Sequence, residues 1–175
     1  MRPNATPQLS VCLIRRRGSL SFTMTDQGAR LREALTSRVL VADGAMGTML
    51  QAHDLSLDDF QGHEGCNEIL NVTRPDVVRS VHDAYFEVGV DLVETNTFGA
   101  NWANLAEYDI TERIEELAEA GARIARESAD HWTTPDKPRF VIGSIGPGTK
   151  LPTLGHAPYA LLRDAYQRQV SGMLA

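Results

Sequence analysis

The chain has 175 residues, of which 42% are hydrophobic, and it carries a formal net charge of −6 at pH 7. This length and composition indicate one domain with a sizeable apolar core. The negative charge argues against a nucleic-acid-binding face, because affinity for phosphates depends on clustered Lys and Arg. No apolar stretch approaches the roughly 20 residues that a membrane-spanning helix needs, and Cys12 and Cys66 are too few for a disulfide framework. We therefore expect a cytoplasmic protein that binds neither nucleic acid nor a membrane.

The first 24 residues differ from the rest of the chain. They mix Pro, Asn, Ser and Arg without sustained periodicity, whereas a regular pattern of apolar residues follows them. We expect residues 1–24 to be a disordered extension or a misassigned translation start, and residues 25–175 to form the folded part.

Three short apolar runs each lead into a polar segment that contains glycine. The polar segments are tip 1 (residues 43–48, Asp-Gly-Ala-Met-Gly-Thr), tip 2 (residues 94–99, Glu-Thr-Asn-Thr-Phe-Gly) and tip 3 (residues 143–148, Gly-Ser-Ile-Gly-Pro-Gly). Apolar runs are typical of buried parallel strands, and ligand-binding groups gather on the loops at the carboxyl ends of such strands. The sequence therefore predicts that the three tips lie together and form a ligand site.

Helical patterns precede, separate and follow the tips. A leading helix is predicted over residues 29–35. The next begins at a Thr73–Asp76 capping box and ends at Gly89, and a third begins at Asp109 with Glu112 as its capping-box partner. The last begins near Pro158. This alternation predicts an α/β fold with parallel strands and crossover helices. Periodicity leaves open whether the strands form a doubly wound sheet or part of a (β/α)₈ barrel, and the long connections at 49–72 and 97–108 favour the barrel.

Two glycine-containing segments fall short of nucleotide-binding motifs. A phosphate-binding P-loop needs Lys directly after its last glycine, but Thr149 follows Gly148. The spacing of Gly44 and Gly47 does not match the dinucleotide-binding pattern. We therefore expect no nucleotide at either segment.

Asp43 directs the interpretation of tip 1 toward an amino acid. A carboxylate at the end of an apolar strand is costly to bury unless it meets a cation or hydrogen-bond donors. Gly44 and Gly47 allow the backbone to turn so that successive N–H groups converge on an anion. A carboxylate beside such a cradle suits the ammonium and carboxylate groups of an amino acid, although Asp43 is equally able to cap the turn alone.

Tips 2 and 3 add polar groups to the same predicted edge. Glu94 and Ser144 follow their apolar runs closely, and Asn96 and Thr97 either hold a ligand or fix the neighbouring loops. Cys66 lies in the first long connection, where a packed thiol is favoured over a thiol ligand.

Four segments together resemble one known family. These segments, which in this order are similar to the homocysteine-binding barrel of cobalamin-dependent methionine synthases, are residues 43–48, 66–71 (Cys-Asn-Glu-Ile-Leu-Asn), 94–101 and 143–147. Residues 148–158 resemble the actinobacterial branch of that family. The resemblance extends from about Leu31 to Ala175.

The resemblance implies a zinc-dependent (β/α)₈ barrel of which this chain supplies the N-terminal portion, about three to four βα units, as a truncated fragment. Homocysteine is the implied substrate, bound through its amino and carboxylate groups, with its sulfur on zinc as the nucleophilic thiolate. The thiolate takes the methyl group of methylcobalamin to give methionine, and methyltetrahydrofolate then remethylates the cobalamin. The implied partners are folate- and cobalamin-binding modules downstream in the full-length chain.

The resemblance also assigns residues. The implied substrate-binding set is Asp43, Gly44, Ala45, Met46, Gly47, Thr48, Glu94, Asn96, Thr97 and Ser144. Within it, Asp43 meets the ammonium group and the backbone of tip 1 flanks the substrate. The three zinc cysteines of the family lie beyond Ala175, and neither Cys12 nor Cys66 matches one of them. We therefore expect no metal ligand and no catalytic residue in this chain, and no turnover by it alone.

Two alternatives stay open. One is a cobalamin-independent homocysteine S-methyltransferase, or a homocysteine methyltransferase fused to a reductase, on the same barrel. The other is a fragment that binds without catalysis.

Overall fold

The computed structural model describes residues 14–16, 19–21 and 26–175 of the chain. The prediction for residues 1–24 concerns mostly residues outside this description, and it stays a prediction. Cys12 lies outside it as well. Within the described part, no helix combines the length and the hydrophobicity that crossing a bilayer requires.

Contacts divide the chain into one unit of residues 1–40 with Leu174 and another of residues 41–173 with Ala175. In the first unit, β1 (Ile14–Arg16) pairs antiparallel with β2 (Ser19–Ser21). Helix α1 (Asp26–Ser37) follows them, which confirms the predicted leading helix and extends it at both ends.

The larger unit alternates helices with short strands. Its elements are α2 (Met46–Gln51), α3 (Leu70–Thr73), α4 (Pro75–Glu87), β3 (Leu92–Glu94), α5 (Trp102–Leu105), α6 (Ile114–Trp132), β4 (Phe140–Ile142) and α7 (Tyr159–Met173). Single 3₁₀ turns lie at Asn67–Ile69, Ala106–Tyr108, Thr111–Arg113 and Pro152–Leu154. This order agrees with the predicted α/β class.

A short parallel sheet brings the strand ends to one edge. Strands β3 and β4 pair with Leu92 opposite Phe140 and Glu94 opposite Ile142. Because α6 connects them, they form a β–α–β unit. On the other edge of β3, Ala42 forms a single parallel bridge with Leu92. Tips 1, 2 and 3 therefore leave the same edge of the sheet.

The prediction that residues 39–42 form a buried strand is wrong. Val39 is 85% exposed and Val41 is 57% exposed, and only Ala42 forms a bridge. The Val41 carbonyl accepts the N–H groups of Asp91 and Leu92, but the Val41 N–H donates to the Asp91 carboxylate at 2.9 Å and so forms no backbone ladder bond.

Helices α4 and α6 pack together and supply a large share of the core. Helix α6 buries the predicted stripe, which is Ile114, Leu117, Ala118, Gly121, Ile124 and Ala125. Val93 of β3 is fully buried in a cluster with Phe86 of α4 and Ala129 of α6. Each buried aliphatic side chain contributes roughly 1.5–3 kcal/mol. This packing fixes β3, and with it tip 2, against both helices.

Both predicted capping boxes are wrong. The Thr73 hydroxyl donates to the Ile69 carbonyl at 3.1 Å and so does not cap α4. Asp109 adopts a left-handed conformation, with φ of 56°, and closes a 3₁₀ turn, while α6 begins later at Ile114. Thr73 therefore uses its hydroxyl on a carbonyl of the preceding turn, and Asp109 ends a 3₁₀ turn, so neither side chain is available to cap the helix that follows.

The predicted helix ends fare better. Gly89, with φ of 103°, lies just past the end of α4, where the left-handed conformation favours glycine. Helix α7 begins directly after Pro158, and the chain continues in it to Met173. These two boundaries are confirmed.

Candidate functional site

Tip 1 and tip 2 meet at Asp43. The Asp43 N–H donates to the Leu92 carbonyl at 3.0 Å. Both carboxylate oxygens of Asp43 accept the Glu94 N–H, at 3.0 and 3.1 Å. The backbone of β3 therefore fixes this carboxylate at the sheet edge, directly beside Glu94.

Tip 2 and tip 3 are joined through Ser144. Its hydroxyl donates to Glu94 Oε2 at 3.0 Å, and its N–H donates to Thr95 Oγ1 at 2.9 Å. In return, Thr97 Oγ1 donates to the Ser144 carbonyl at 2.7 Å. Three hydrogen bonds thus join Ser144 of tip 3 to tip 2, and one of them reaches the Glu94 carboxylate.

Asn96 is held by a reciprocal pair of amides. Asn71 Nδ2 donates to the Asn96 carbonyl at 2.8 Å and to the Leu117 carbonyl at 3.0 Å. Asn96 Nδ2 donates to Asn71 Oδ1 and to the Asn67 carbonyl, both at 2.9 Å. Both side chains are at least 95% buried. Because both amide hydrogens of Asn96 are used inside the protein, its geometry favours fixing the loops over holding a ligand.

Gly121 of α6 allows this close arrangement. A Cβ atom there would lie 2.7 Å from Asn71 Nδ2, 2.8 Å from Thr97 Cγ2 and 3.2 Å from the Asn96 carbonyl oxygen. The first two distances are shorter than real Cβ contacts, and the third is unusually tight. Glycine therefore lets α6 approach the base of tip 2.

Helix α7 forms hydrogen bonds with the backbone of tips 2 and 3. Gln169, which is fully buried, donates from Nε2 to the Thr97 carbonyl at 2.7 Å. The Tyr166 hydroxyl donates to the Gly146 carbonyl at 3.0 Å. Sequence reasoning missed both roles, although one signal was present. Gln169 is a polar residue on the apolar stripe of a helix, and buried polar side chains need partners.

Tip 1 is the most open of the three. Gly44, Ala45 and Thr48 are exposed, whereas Met46 and Gly47 are partly buried. Met46 begins α2, so the second half of the predicted turn is helical.

Burial and charge both act on Asp43. Loss of solvent raises the pKa of the Asp43 carboxyl to about 6, and the negative charge of Glu94 adds to this rise, against the hydrogen bond from the Glu94 N–H. Among the described residues, no lysine or arginine forms an ion pair with either carboxylate. A positively charged ligand group placed there would relieve both effects.

Cys66 does not have the properties of a metal ligand. It is 99% buried in the core, and burial followed by the charge of Glu68 raises the pKa of its thiol to about 11. The Glu68 carboxylate accepts the Gly99 N–H at 2.7 Å, and burial raises its pKa as well. Within the part that the structure describes, no group of three or more His, Cys, Asp or Glu side chains is placed to bind a metal ion.

The geometry thus offers two neighbouring carboxylates, a serine hydroxyl and exposed backbone at one sheet edge. This arrangement suits a ligand with an ammonium group. A profile of the homocysteine S-methyltransferase family matches residues 40–175, which is most of the chain. The chain belongs to this family. Such membership is consistent with the predicted resemblance and gives the sheet edge a functional context.

Curated members of the homocysteine S-methyltransferase family include close relatives of the chain. The methionine synthases of Mycobacterium tuberculosis (strain ATCC 25618 / H37Rv) and Mycobacterium leprae (strain TN) are each 61% identical to it over 144 residues. The match covers 82% of this chain and 12% of either relative. The chain thus spans a small part of the length of the curated relatives it matches.

Solved structures of the family share the fold. The homocysteine methyltransferase MmuM from Escherichia coli, in its metallated form, aligns with a TM-score of 0.63 and 21% identity over 82% of this chain and 53% of that protein. Its oxidized form gives a TM-score of 0.61. The α/β class is thereby confirmed, whereas the number of βα units in a closed barrel stays a prediction.

Proposed function

We propose that this chain forms the amino-acid-binding part of a homocysteine S-methyltransferase domain of the methionine synthase type, whose methyl acceptor is homocysteine. The observation that carries the proposal is the Asp43 carboxylate, held at the sheet edge by the backbone N–H of Glu94, whose own carboxylate accepts the Ser144 hydroxyl. Among the described residues, no lysine or arginine forms an ion pair with either carboxylate. The 61% identity to mycobacterial methionine synthases supports the methionine synthase type.

In this proposal the substrate ammonium group lies between Asp43 and Glu94. An ion pair there offsets the loss of solvent that raises the pKa of Asp43. The backbone of tip 1, including Gly44, Ala45, Met46, Gly47 and Thr48, flanks the substrate. Ser144 orients the Glu94 carboxylate through the hydrogen bond between Ser144 Oγ and Glu94 Oε2. Asn96 and Thr97 hold these groups in position.

The finer architecture belongs to the same proposal. We infer that residues 25–175 form about three to four βα units of a (β/α)₈ barrel, and that the tips lie at its carboxyl-terminal mouth, where such barrels place their sites. We also infer that the methyl group comes from cobalamin and methyltetrahydrofolate, bound by other modules of a longer chain. Cytoplasmic localisation is part of this assignment.

The family's zinc does not fit the residues described here. The Cys66 thiol is buried and its pKa is raised to about 11, so the thiolate that zinc requires is disfavoured. No step is therefore assigned to a metal on this chain, and the role of its residues is to bind and orient the amino-acid end of the substrate.

Calorimetric titration tests the proposal with a pair of ligands. Homocysteine and 4-mercaptobutanoate differ by the ammonium group, while both carry a thiol and a carboxylate. We expect homocysteine to bind this chain at least about tenfold more tightly, because a partly buried charge pair contributes roughly 1–3 kcal/mol. Asp43→Asn is expected to abolish the difference, and Asp109→Asn, an exposed change at a position where Asn suits the left-handed backbone, to preserve it. Equal affinity for the two ligands would refute the assignment.

A further inference from the structure

An open groove lies beside tip 3, between the loop that follows β4 and the first turns of α7. Its volume is ≈ 420 Å³, and its walls include Leu151 and Leu162 together with the rings of Tyr159 and Tyr166. Two cations, Lys150 and Arg163, also line it, and no acidic residue does. The groove therefore combines apolar walls with two positively charged side chains.

These two cations differ from the others in the larger unit. The remaining lysines and arginines of residues 41–173 donate to a carboxylate or to a backbone carbonyl. In that described range, Lys150 and Arg163 alone have no such partner. Within residues 41–173, the groove is therefore where positive side chains without such a partner lie, in a chain whose net charge is −6.

Apolar side chains extend this surface beyond the groove. Leu154 is 65% exposed and Tyr159 is 70% exposed. Phe98, also exposed, lies near Gly146, whose N–H donates to the Phe98 carbonyl at 3.0 Å and whose carbonyl accepts the Tyr166 hydroxyl. Exposed apolar side chains near a groove are typical of a protein-binding surface.

We propose that this groove binds an acidic polypeptide segment, whose apolar side chains pack on Leu151, Leu162 and Tyr159 and whose carboxylates lie against Lys150 and Arg163. Charge complementarity selects the occupant, because an acidic segment is repelled by the rest of this acidic chain and attracted here. A small anion fits less well. Small-molecule sites enclose most of the ligand, whereas this groove is open to solvent.

The proposal does not depend on the proposed function, since it uses none of the residues at the carboxylate pair. Peptides selected from a random display library on the 175-residue chain test it directly. We expect the recovered peptides to be enriched in Asp or Glu together with large apolar residues. We also expect their affinity to fall as salt is raised from about 0.05 M to about 0.5 M, because salt screens exposed charges.

Charge reversal then locates the binding surface. Lys150→Glu and Arg163→Glu are each expected to weaken peptide binding about fivefold or more, which is the size of effect of an exposed charge pair. Arg123→Glu reverses an exposed, ion-paired charge on α6 and is expected to leave binding within about twofold. Lys150→Arg and Arg163→Lys retain the charge, and their binding should match that of the unaltered chain.

Three results would overturn the proposal. They are failure to recover any binding peptide, recovery of peptides without acidic enrichment, and peptides that bind Lys150→Glu and Arg163→Glu as tightly as the unaltered chain. Circular dichroism of each variant shows whether a loss of binding reflects a loss of fold.

Discussion

Asp43 is a carboxylate that the backbone fixes in place without supplying a positive charge. Its two oxygens accept one N–H, from Glu94. Burial raises the pKa of its carboxyl to about 6, and the negative charge of Glu94 adds to the rise. The chain thus keeps an unfavourable arrangement that a ligand ammonium group would stabilise. Strain of this kind at a sheet edge is typical of binding sites.

Homocysteine affinity should depend on pH through this residue. Because the Asp43 carboxyl is half protonated near pH 6, we expect the affinity to fall as pH decreases from about 7 to about 5, by up to about tenfold for each unit below the pKa. Calorimetric titration across this range measures it. Asp43→Asn should bind weakly at every pH, and an unaltered chain whose affinity is flat from pH 7 to 5 would contradict this role.

His82 is a second residue whose protonation is coupled to the fold. It lies on α4, fully buried, and neither ring nitrogen has a hydrogen-bond partner among the described residues. Burial lowers its pKa from 6.5 to about 4, although the charge of Asp83 acts in the opposite direction. Between pH 6.5 and 4 the unfolded chain therefore binds more protons than the folded one, so stability falls as the pH falls through this window.

Replacement of His82 should remove this dependence. In urea titrations at pH 7 and pH 4, we expect the unaltered chain to lose about 3 kcal/mol more unfolding free energy than His82→Leu loses. His131→Leu, an exposed change on α6, serves as the control and should behave like the unaltered chain. Identical pH dependence in His82→Leu would rule out a buried neutral imidazole.

At the scale of elements, α6 and α7 determine where the tips lie. Helix α6 approaches closely at Gly121, and α7 reaches the same tip through Gln169. A small residue of α6 and a polar residue of α7 therefore hold tip 2 in position. A site on loops needs such support to keep its groups in position.

Gln169→Ala should destabilise the chain by about 2–3 kcal/mol, since it removes both a buried side chain and the hydrogen bond to the Thr97 carbonyl. Urea unfolding measures the change. Gln167→Ala, two residues away on the exposed face of α7, is the matched control and should alter stability by less than about 0.5 kcal/mol. Equal effects of the two substitutions would show that Gln169 is not a support of tip 2.

The elements also show how far the sequence predicts the structure. The stripe of α6, the end of α4 at Gly89 and the start of α7 after Pro158 follow from periodicity and from glycine and proline, which act locally. The capping boxes at Thr73 and Asp109 failed, because one hydroxyl bonded to a carbonyl and the other residue closed a turn. Local patterns do not reveal which of several nearby partners a side chain takes.

The tips show the same division. Their presence at one sheet edge follows from strand polarity, so Asp43, Glu94 and Ser144 were identifiable from the sequence. The partner of Asn96, which is Asn71 at a distance of 25 residues, was not, because that contact depends on how α3 packs under tip 2. Non-local packing decides which polar residues face a ligand and which hold the loops.

In the molecule as a whole, residues 41–173 form a unit with two surfaces of opposite charge character. The sheet edge offers carboxylates to a cation, and the groove beside tip 3 offers Lys150 and Arg163 to an anion. The two surfaces are adjacent, because tip 3 contributes Ser144 to the sheet edge and Pro147 to the groove. Membership of the homocysteine S-methyltransferase family gives the first surface its proposed ligand.

Chemical-shift mapping by NMR tests most directly whether the three tips form one amino-acid site. Addition of homocysteine to the ¹⁵N-labelled chain is predicted to shift the amide signals of tips 1, 2 and 3 together, with Asp43, Glu94 and Ser144 among the residues affected. The same addition to Asp43→Asn should give no shift at any tip. Shifts confined to the groove at Lys150 and Arg163, or the absence of shifts from the unaltered chain, would contradict the assignment of this sheet edge as the homocysteine site.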